Sequence, residues 1–230
     1  MKIGVLETGR PPDAMLGTYG DYPKLMADWL HPALPDATFT GIPVIDGVLP
    51  GHAADFDGYV ITGSRHGVYD DLPWIAPLKQ FIRQAARADV PQVGICFGHQ
   101  VAAEALGGHA EKSVRGWGVG RQTYTVDLGD EDPDLGMLLF HQDQVVSLPA
   151  NARVLGGNAF CPIGIVRYAE PVITAQFHPE FTLPFLRDLI DLRAVEALPE
   201  DIAENARKSL VMYPENTRFA RWAATFLQGR

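Results

Sequence analysis

The first half of the chain alternates between short apolar runs and longer segments whose apolar residues recur at helical spacing. This alternation is typical of a parallel β-sheet covered by helices on both faces. The apolar runs predict strands at residues 2–6, 38–45, 57–62 and 90–95. The helical segments lie at residues 22–34, 74–88 and 99–106. We therefore expect an α/β fold whose site lies at the carboxyl ends of the strands.

The second half has shorter strand patterns separated by turns, followed by a return to helical spacing. These patterns predict a mixed or antiparallel extension of the sheet. The strands are expected at residues 121–128, 144–148, 154–155, 163–168 and 172–177, with Gly156-Gly157-Asn158 as a turn. Helices are expected at residues 183–198, 200–210 and 217–227.

Cys96 lies between an apolar run and an alanine-rich helical pattern, in the sequence Gly94-Ile95-Cys96-Phe97-Gly98. A nucleophile on a sharp strand-to-helix turn needs neighbours without side chains two positions before and after it. Gly94 and Gly98 meet that need. The backbone N–H of Phe97 would point toward the group that the sulfur attacks. The same pentad also fits a buried, unreactive cysteine in an ordinary turn.

His178 and Glu180 follow an apolar strand pattern that stops at Pro179. A cysteine nucleophile needs a base, and the imidazole needs a carboxylate to hold its tautomer and favour its charged form. Proline restricts both its own backbone and that of the residue before it, so the two side chains share one rigid turn. Taken alone, the sequence His-x-Glu also fits a solvated surface turn.

Four segments resemble the class I, triad-type glutamine amidotransferases. Residues 93–100 are similar to the nucleophile motif of that family, and residues 176–180 to its His-Pro-Glu motif. Residues 61–64 lie where the family has the glycine-rich loop of its oxyanion hole. Residues 140–145 are similar to a His-x-Asp-x-Val segment lining its glutamine site. Within the family, the chain resembles free-standing members akin to the GMP synthase glutaminase domain and to the γ-glutamyl peptidases, through Gly63-Ser64, Trp74, Gly107-Gly108 and Gly116-Trp117-Gly118.

The resemblance implies a three-layer, flavodoxin-like fold with a mostly parallel central sheet, a nucleophile elbow and C-terminal helices. It implies a catalytic triad of Cys96, His178 and Glu180, and an oxyanion hole formed by the N–H groups of Gly63 and Phe97. The residues implied to bind substrate are Gln100, Ser64, Arg65, His141, Gln142 and Asp143.

The oxyanion loop departs from the family because it reads Thr-Gly-Ser-Arg-His, without the usual additional glycine and proline. We expect Arg65 and His66 to shape the substrate entrance. The implied activity is cleavage of the γ-carboxamide of glutamine or of a γ-glutamyl compound through a γ-glutamyl thioester, releasing glutamate and ammonia or an amine. Two alternatives are an amidase subunit feeding ammonia to a separate ATP-dependent, GMP synthase-like partner, and a non-catalytic binding or regulatory module on the same fold.

Composition and charge limit the number of domains and the classes of function that the chain fits. A chain of 230 residues fits one domain spanning 1–230, with 183–230 as its helical extension. The net charge of −9 without basic clusters disfavours nucleic acid. No apolar run approaches a membrane span and Glu7 comes too early for a secretory leader, so a cytoplasmic location is expected. No metal or cofactor is expected. We interpret Cys161 as a structural strand residue and residues 127–134 as a solvated acidic loop.

Overall fold

The computed structural model describes residues 1–196 and 198–229, which form eleven strands and seven α-helices. The strands are β1 Lys2–Leu6, β2 Thr38–Ile42, β3 Gly58–Ile61, β4 Gln92–Ile95, β5 His109–Lys112, β6 Gly118–Val126, β7 Asp134–His141, β8 Asp143–Ser147, β9 Arg153–Gly157, β10 Ile165–Arg167 and β11 Val172–Ala175. The helices are α1 Asp13–Tyr19, α2 Tyr22–Leu30, α3 Ile75–Arg87, α4 Phe97–Ala105, α5 Leu183–Glu196, α6 Glu200–Ser209 and α7 Asn216–Leu227.

Nine strands form the central sheet, in the order β2-β1-β3-β4-β11-β10-β9-β6-β7. Neighbours from β2 to β11 are parallel, and neighbours from β11 to β7 are antiparallel. The parallel part has the strand order of flavodoxin-like folds. The expected fold class and the antiparallel extension are both confirmed. The strands β5 and β8 pair separately as a small antiparallel sheet.

Helices cover both faces of the parallel part, because each helix buries one apolar stripe against it. On one face, α2 and α7 enclose a core that includes Trp29, Phe177 and Phe219. On the other face, α3 and α4 pack over Tyr59 and Ile61. The rings of Trp29 and Phe219 stack with centroids 5.9 Å apart. The C-terminal helix α7 is therefore part of the main core.

Several predicted boundaries and elements were wrong. Strand β2 ends at Ile42 because Pro43 has no N–H to continue the ladder, and a 3₁₀ turn follows at Val44–Asp46. Gly156 and Gly157 lie within β9 and are not the predicted turn. A Cβ on Gly157 would lie 2.2 Å from the carbonyl oxygen of Pro162, so this glycine permits close approach of another segment.

Strand β7 and the shorter elements α1 and β5 were not predicted. Strand β7 is a nearly continuous apolar run, and most of its residues are buried. A strand buried on both faces lacks the alternation by which a half-exposed strand is recognised. Among the described helices, none has the length and apolarity needed to cross a bilayer.

His99 fastens α4 to the rest of the fold. Its Nδ1 lies 2.7 Å from the hydroxyl of Thr174 on β11, and its Nε2 lies 3.1 Å from the carbonyl oxygen of Ile163. Because a carbonyl oxygen can only accept, Nε2 carries the proton and Nδ1 accepts from the hydroxyl. Burial lowers the pKa of His99 to about 3. His99 is therefore a packed, neutral histidine that joins α4 to β11 and to the segment before β10.

The buried, neutral His99 should make the protein sensitive to acid. Its pKa is lower in the folded than in the unfolded state, so stability is lost as pH falls below about 6.5, by up to roughly 1.4 kcal/mol per pH unit. We predict that His99→Gln flattens the dependence of the free energy of unfolding on pH between about 6 and 4. Urea unfolding at several pH values measures this slope. The control is His31→Gln, at an exposed histidine. The prediction would be wrong if His99→Gln left the slope unchanged, or if His31→Gln changed the slope equally.

Candidate active site

Cys96 occupies the predicted turn between β4 and α4. Its backbone has φ 53° and ψ −104°, a strained conformation for a residue with a side chain. A Cβ on Gly94 would lie 2.5 Å from the carbonyl oxygen of Gly98, and a Cβ on Gly98 would lie 2.4 Å from that of Ile61. Both glycines are therefore required for the strand and helix to pass so closely. The thiol is 5% exposed and lines the main cavity.

His178 and Glu180 form a buried pair beyond the end of β11. Nδ1 of His178 lies 2.7 Å from Oε1 of Glu180, and both side chains are almost fully buried. Since Nδ1 is engaged by the carboxylate, Nε2 is the nitrogen left for the Cys96 thiol, with which the imidazole also interacts. Burial alone would lower the pKa of His178, but the charges of Glu180 and Cys96 outweigh burial and raise it. The imidazole is thus held as a cation.

Two features fix the plane and position of the imidazole. The ring of Phe181 lies parallel to it, with centroids 4.0 Å apart and an interplanar angle of 4°. The backbone N–H of His178 donates to the carbonyl oxygen of Leu138 on β7, at 2.8 Å. Strand β7 ends the central sheet, so the antiparallel half must bend back to reach His178. A strand that the sequence pattern missed therefore helps to position the imidazole.

The oxyanion loop follows β3 and lies against the pair of Cys96 and His178. A Cβ on Gly63 would lie 2.8 Å from Cε1 of His178, so only glycine fits there. Within the described part of the chain, the N–H groups of Gly63 and Phe97 donate to no protein acceptor.

Thr8, at the end of β1, orients this loop and was missed by sequence reasoning. Its hydroxyl donates to the carbonyl oxygen of Thr62 at 2.8 Å. Because the peptide is planar and trans, the N–H of Gly63 points away from that carbonyl. Strand β3 lies between β1 and β4, so an N–H directed away from β1 points toward Cys96. The one available signal was that Thr8 follows the carboxyl end of a parallel strand.

The thiol and imidazole open into a cavity of about 460 Å³. All six residues expected to contact substrate line it, namely Ser64, Arg65, Gln100, His141, Gln142 and Asp143. His66 also lines the cavity, with Nδ1 3.5 Å from Oδ2 of Asp70. The cavity therefore gathers these seven residues with Cys96 and His178, whereas Gly63, Phe97 and Glu180 do not line it.

Gln100 and His141 both bond to the backbone of Asp143. The amide nitrogen of Gln100 donates to the carbonyl oxygen of Asp143 at 3.0 Å and to Oε1 of Gln176 at 3.1 Å. Nδ1 of His141 lies 3.0 Å from the same Asp143 carbonyl oxygen. Burial lowers the pKa of His141 to about 3, so this imidazole is neutral. Together these hydrogen bonds hold residues 141–143 against α4. Burial also raises the pKa of the Asp143 carboxyl.

The prediction that Cys161 is a strand residue was wrong. Cys161 lies in the loop between β9 and β10. Its N–H donates to the side-chain oxygen of Asn158 at 2.7 Å, which holds this loop. Burial raises the pKa of the Cys161 thiol to about 12. The described residues contain no cluster of three or more histidine, cysteine or acidic side chains arranged to hold a metal.

Residues 45–187 match the glutamine amidotransferase class-I family, and the chain belongs to that family. It is 29% identical over 199 residues to γ-glutamyl peptidase 2 of Arabidopsis thaliana, covering 81% of this chain and 80% of the relative. It is 34% identical to the glutamine-hydrolysing GMP synthase of Azoarcus sp. strain BH72, over 54% of this chain but only 26% of that protein. Its fold is similar to that of a glutamine amidotransferase from Thermotoga maritima, with a TM-score of 0.77, 17% identity and coverage of 100% and 97% of the two chains.

The neighbouring imidazolium should make Cys96 the more reactive thiol. Only the thiolate reacts with iodoacetamide, and a fixed cation stabilises it. We predict that Cys96 is alkylated at least ten times faster than Cys161 near pH 6.5, and that His178→Gln removes most of this advantage. Peptide mapping by mass spectrometry gives both rates. Equal rates for the two thiols, or a similar loss in the exposed control His109→Gln, would show that the imidazole does not activate Cys96.

Proposed function

We propose that the chain is an amidohydrolase that cleaves the γ-carboxamide of glutamine or of a γ-glutamyl compound. The observation that supports this most directly is the meeting of Cys96, on its strained turn, with the buried pair of His178 and Glu180 at one cavity. These are the nucleophile, base and orienting carboxylate that acyl transfer requires. Membership of the family supports the same chemistry.

In the first half of the proposed reaction, the Cys96 thiolate attacks the γ-carbonyl carbon. The N–H groups of Gly63 and Phe97 donate to the oxygen as it gains negative charge. When the tetrahedral intermediate collapses, the C–N bond breaks and the proton on Nε2 of His178 passes to the leaving nitrogen. Ammonia or an amine departs, and the γ-glutamyl group remains on sulfur as a thioester.

In the second half, water replaces the departed amine. The now neutral His178 accepts a proton from this water, and the oxygen attacks the thioester at the same oxyanion site. The C–S bond breaks, glutamate is released, and the thiolate and imidazolium are restored. Glu180 holds the same tautomer throughout, since its bond to Nδ1 leaves Nε2 to carry the transferred proton in both steps.

Two observations favour a peptidase-type substrate over an ammonia-supplying role. The cavity of about 460 Å³ is in the size range of pockets that hold drug-sized ligands, which exceeds what free glutamine needs. The chain also matches four-fifths of a γ-glutamyl peptidase but about a quarter of a GMP synthase. The alternative, an amidase subunit for a separate ATP-dependent synthase, is supported by the higher identity to the GMP synthase segment.

We infer that residues 1–230 act as one glutamine amidotransferase-like domain. The region after residue 183 supplies Leu189, Arg193 and Leu198 to the cavity, and α7 packs Phe219 against Phe177 with ring centroids 4.8 Å apart. The helical extension thus contributes to both core and cavity, which favours one cooperative unit.

Cys96→Ala should lower the rate of glutamate release from every accepted amide by a factor on the order of 10⁴ or more, because it removes the proposed nucleophile. Cys161→Ala is the matched control and should keep nearly full activity. The assay measures glutamate from glutamine and from γ-glutamyl amides with larger amines, and an electrophilic glutamine analogue should label Cys96. If the wild-type protein is inert on all these compounds but becomes active with an ATP-dependent partner, the synthase-subunit alternative is correct.

Removing the Thr8 hydroxyl should lower kcat with little change in KM, because it misdirects the Gly63 N–H that is needed as the oxyanion forms. Loss of a whole oxyanion donor costs about 10²–10³ in kcat, so we predict a fall on the order of ten-fold for Thr8→Val. Thr8→Ser keeps the donor and should restore most of the rate. If the valine and serine variants lose equal activity, Thr8 contributes packing and does not orient the donor.

A further inference from the structure

The cavity extends past the family-matched segment, on the side next to the imidazole. Six lining residues lie outside residues 45–187. Arg10 and Pro12 lie between β1 and α1, and the other four are Tyr22 at the start of α2, Leu189 and Arg193 on α5, and Leu198. Phe181 completes the wall that these four form, and its ring faces that of Tyr22 at a centroid distance of 6.4 Å. We call these four residues and Phe181 the α2–α5 wall.

The direction of proton transfer indicates which half of a substrate meets this wall. Nδ1 of His178 is bonded to Glu180, so Nε2 must deliver the proton to the leaving nitrogen. That nitrogen must therefore lie within hydrogen-bond distance of Nε2. Phe181 covers one face of the same imidazole, and the α2–α5 wall continues from Phe181. A substituent on that nitrogen would then lie next to this wall.

Tyr22 presents a hydrogen-bond donor that the protein does not use. Its side chain is 9% exposed and its hydroxyl has no hydrogen-bond partner among the described residues. Burial, with added effects of Glu180 and Cys96, raises the pKa of Tyr22, so the hydroxyl keeps its proton. The hydroxyl is not fully enclosed by protein atoms, and Tyr22 lines the cavity, so an acceptor on a ligand there would receive this hydrogen bond.

Arg193 adds a second donor and a positive charge to the same wall. It lines the same cavity as Tyr22, and its positive charge acts to lower the pKa of the Tyr22 hydroxyl, against the larger effect of burial. A guanidinium can only donate, and its geometry suits a carboxylate. The other wall residues, Leu189, Leu198 and Phe181, are apolar. The wall therefore combines two hydrogen-bond donors, one of them charged, with an apolar surface.

We propose that the α2–α5 wall binds the amine half of the substrate, and that this half is an α-amino acid with an apolar side chain. Its carboxylate would bind Tyr22 and Arg193, and its side chain would pack on Leu189 and Leu198. The preferred substrate class is then γ-glutamyl-linked apolar amino acids. This inference rests on the proposed function for the direction of the amine, but its test is a binding measurement that needs no turnover.

The test uses full-length protein carrying Cys96→Ala, so that ligands stay intact. Calorimetry compares γ-glutamyl-leucine with γ-glutamyl-isopentylamide, which has the same apolar group without the carboxylate. We expect the carboxylate to tighten binding by about ten-fold or more, as hydrogen bonds between charged groups do. Tyr22→Phe and Arg193→Gln should each reduce this preference several-fold. Arg187→Gln, on the same helix but outside the cavity lining, should preserve it, and melting curves verify that all variants fold.

A second comparison tests the apolar part of the wall. We expect γ-glutamyl-leucine to bind more tightly than γ-glutamyl-glycine, and Leu189→Ala to reduce that difference. Equal affinity for the acid and the isopentylamide, or no binding of either, would overturn the proposal. The proposal would also be overturned if Arg65→Gln abolished the preference for the acid over the isopentylamide while Tyr22→Phe and Arg193→Gln left it unchanged. The carboxylate would then bind at the oxyanion loop and not at the α2–α5 wall. If binding behaves as expected while wild-type protein releases no glutamate, the subsite stands and the proposed hydrolysis fails.

Discussion

The close approach of β4 and α4 around Cys96 is the constraint on which the rest of the site depends. A residue with a side chain at φ 53° costs on the order of 1–3 kcal/mol, which the surrounding packing must offset. Gly94 and Gly98 remove the side chains that would collide, and Gly98 lies directly against the carbonyl of Ile61 on β3. This contact also sets the distance between the thiol and the oxyanion loop, because that loop begins just after Ile61. The strained turn and the donor arrangement are therefore consequences of the same packing.

The antiparallel half of the sheet supplies the second element of the site. The backbone of His178 is held by two parts of the sheet. It follows β11, which pairs with β4, and its N–H donates to Leu138 on β7, which bends back to reach it. Stacking on Phe181 and the bond to Glu180 then leave the ring little freedom. A base held in this way keeps one tautomer and one orientation through both halves of an acyl transfer. The strands beyond β11 thus help to hold the candidate active site as well as the core.

The local motifs were predictable because their physical requirements lie within a few residues. The glycines around Cys96, the rigid His-Pro-Glu turn and the first strand at residues 2–6 all follow from short-range rules, and the structure has each of them. Other features depend on neighbours that are distant in sequence. Gly156 and Gly157 have the composition of a turn, yet they serve the close packing of β9 against β6 and the loop before β10. Strand β7 was missed because burial on both faces removed its alternation.

The sequence by itself determined the α/β class, the nucleophile turn and the set of chemical groups that meet at the site. Hydrophobic period and steric need for glycine act locally, so they can be read without coordinates. Only the tertiary structure decided how these groups are held and what surrounds them. Thr8 and Thr62 are 54 positions apart, and Tyr22, near the start of the chain, lines the same cavity as Arg193 on α5. No local pattern encodes such pairs, because the sheet order and the packing of helices on it bring them together.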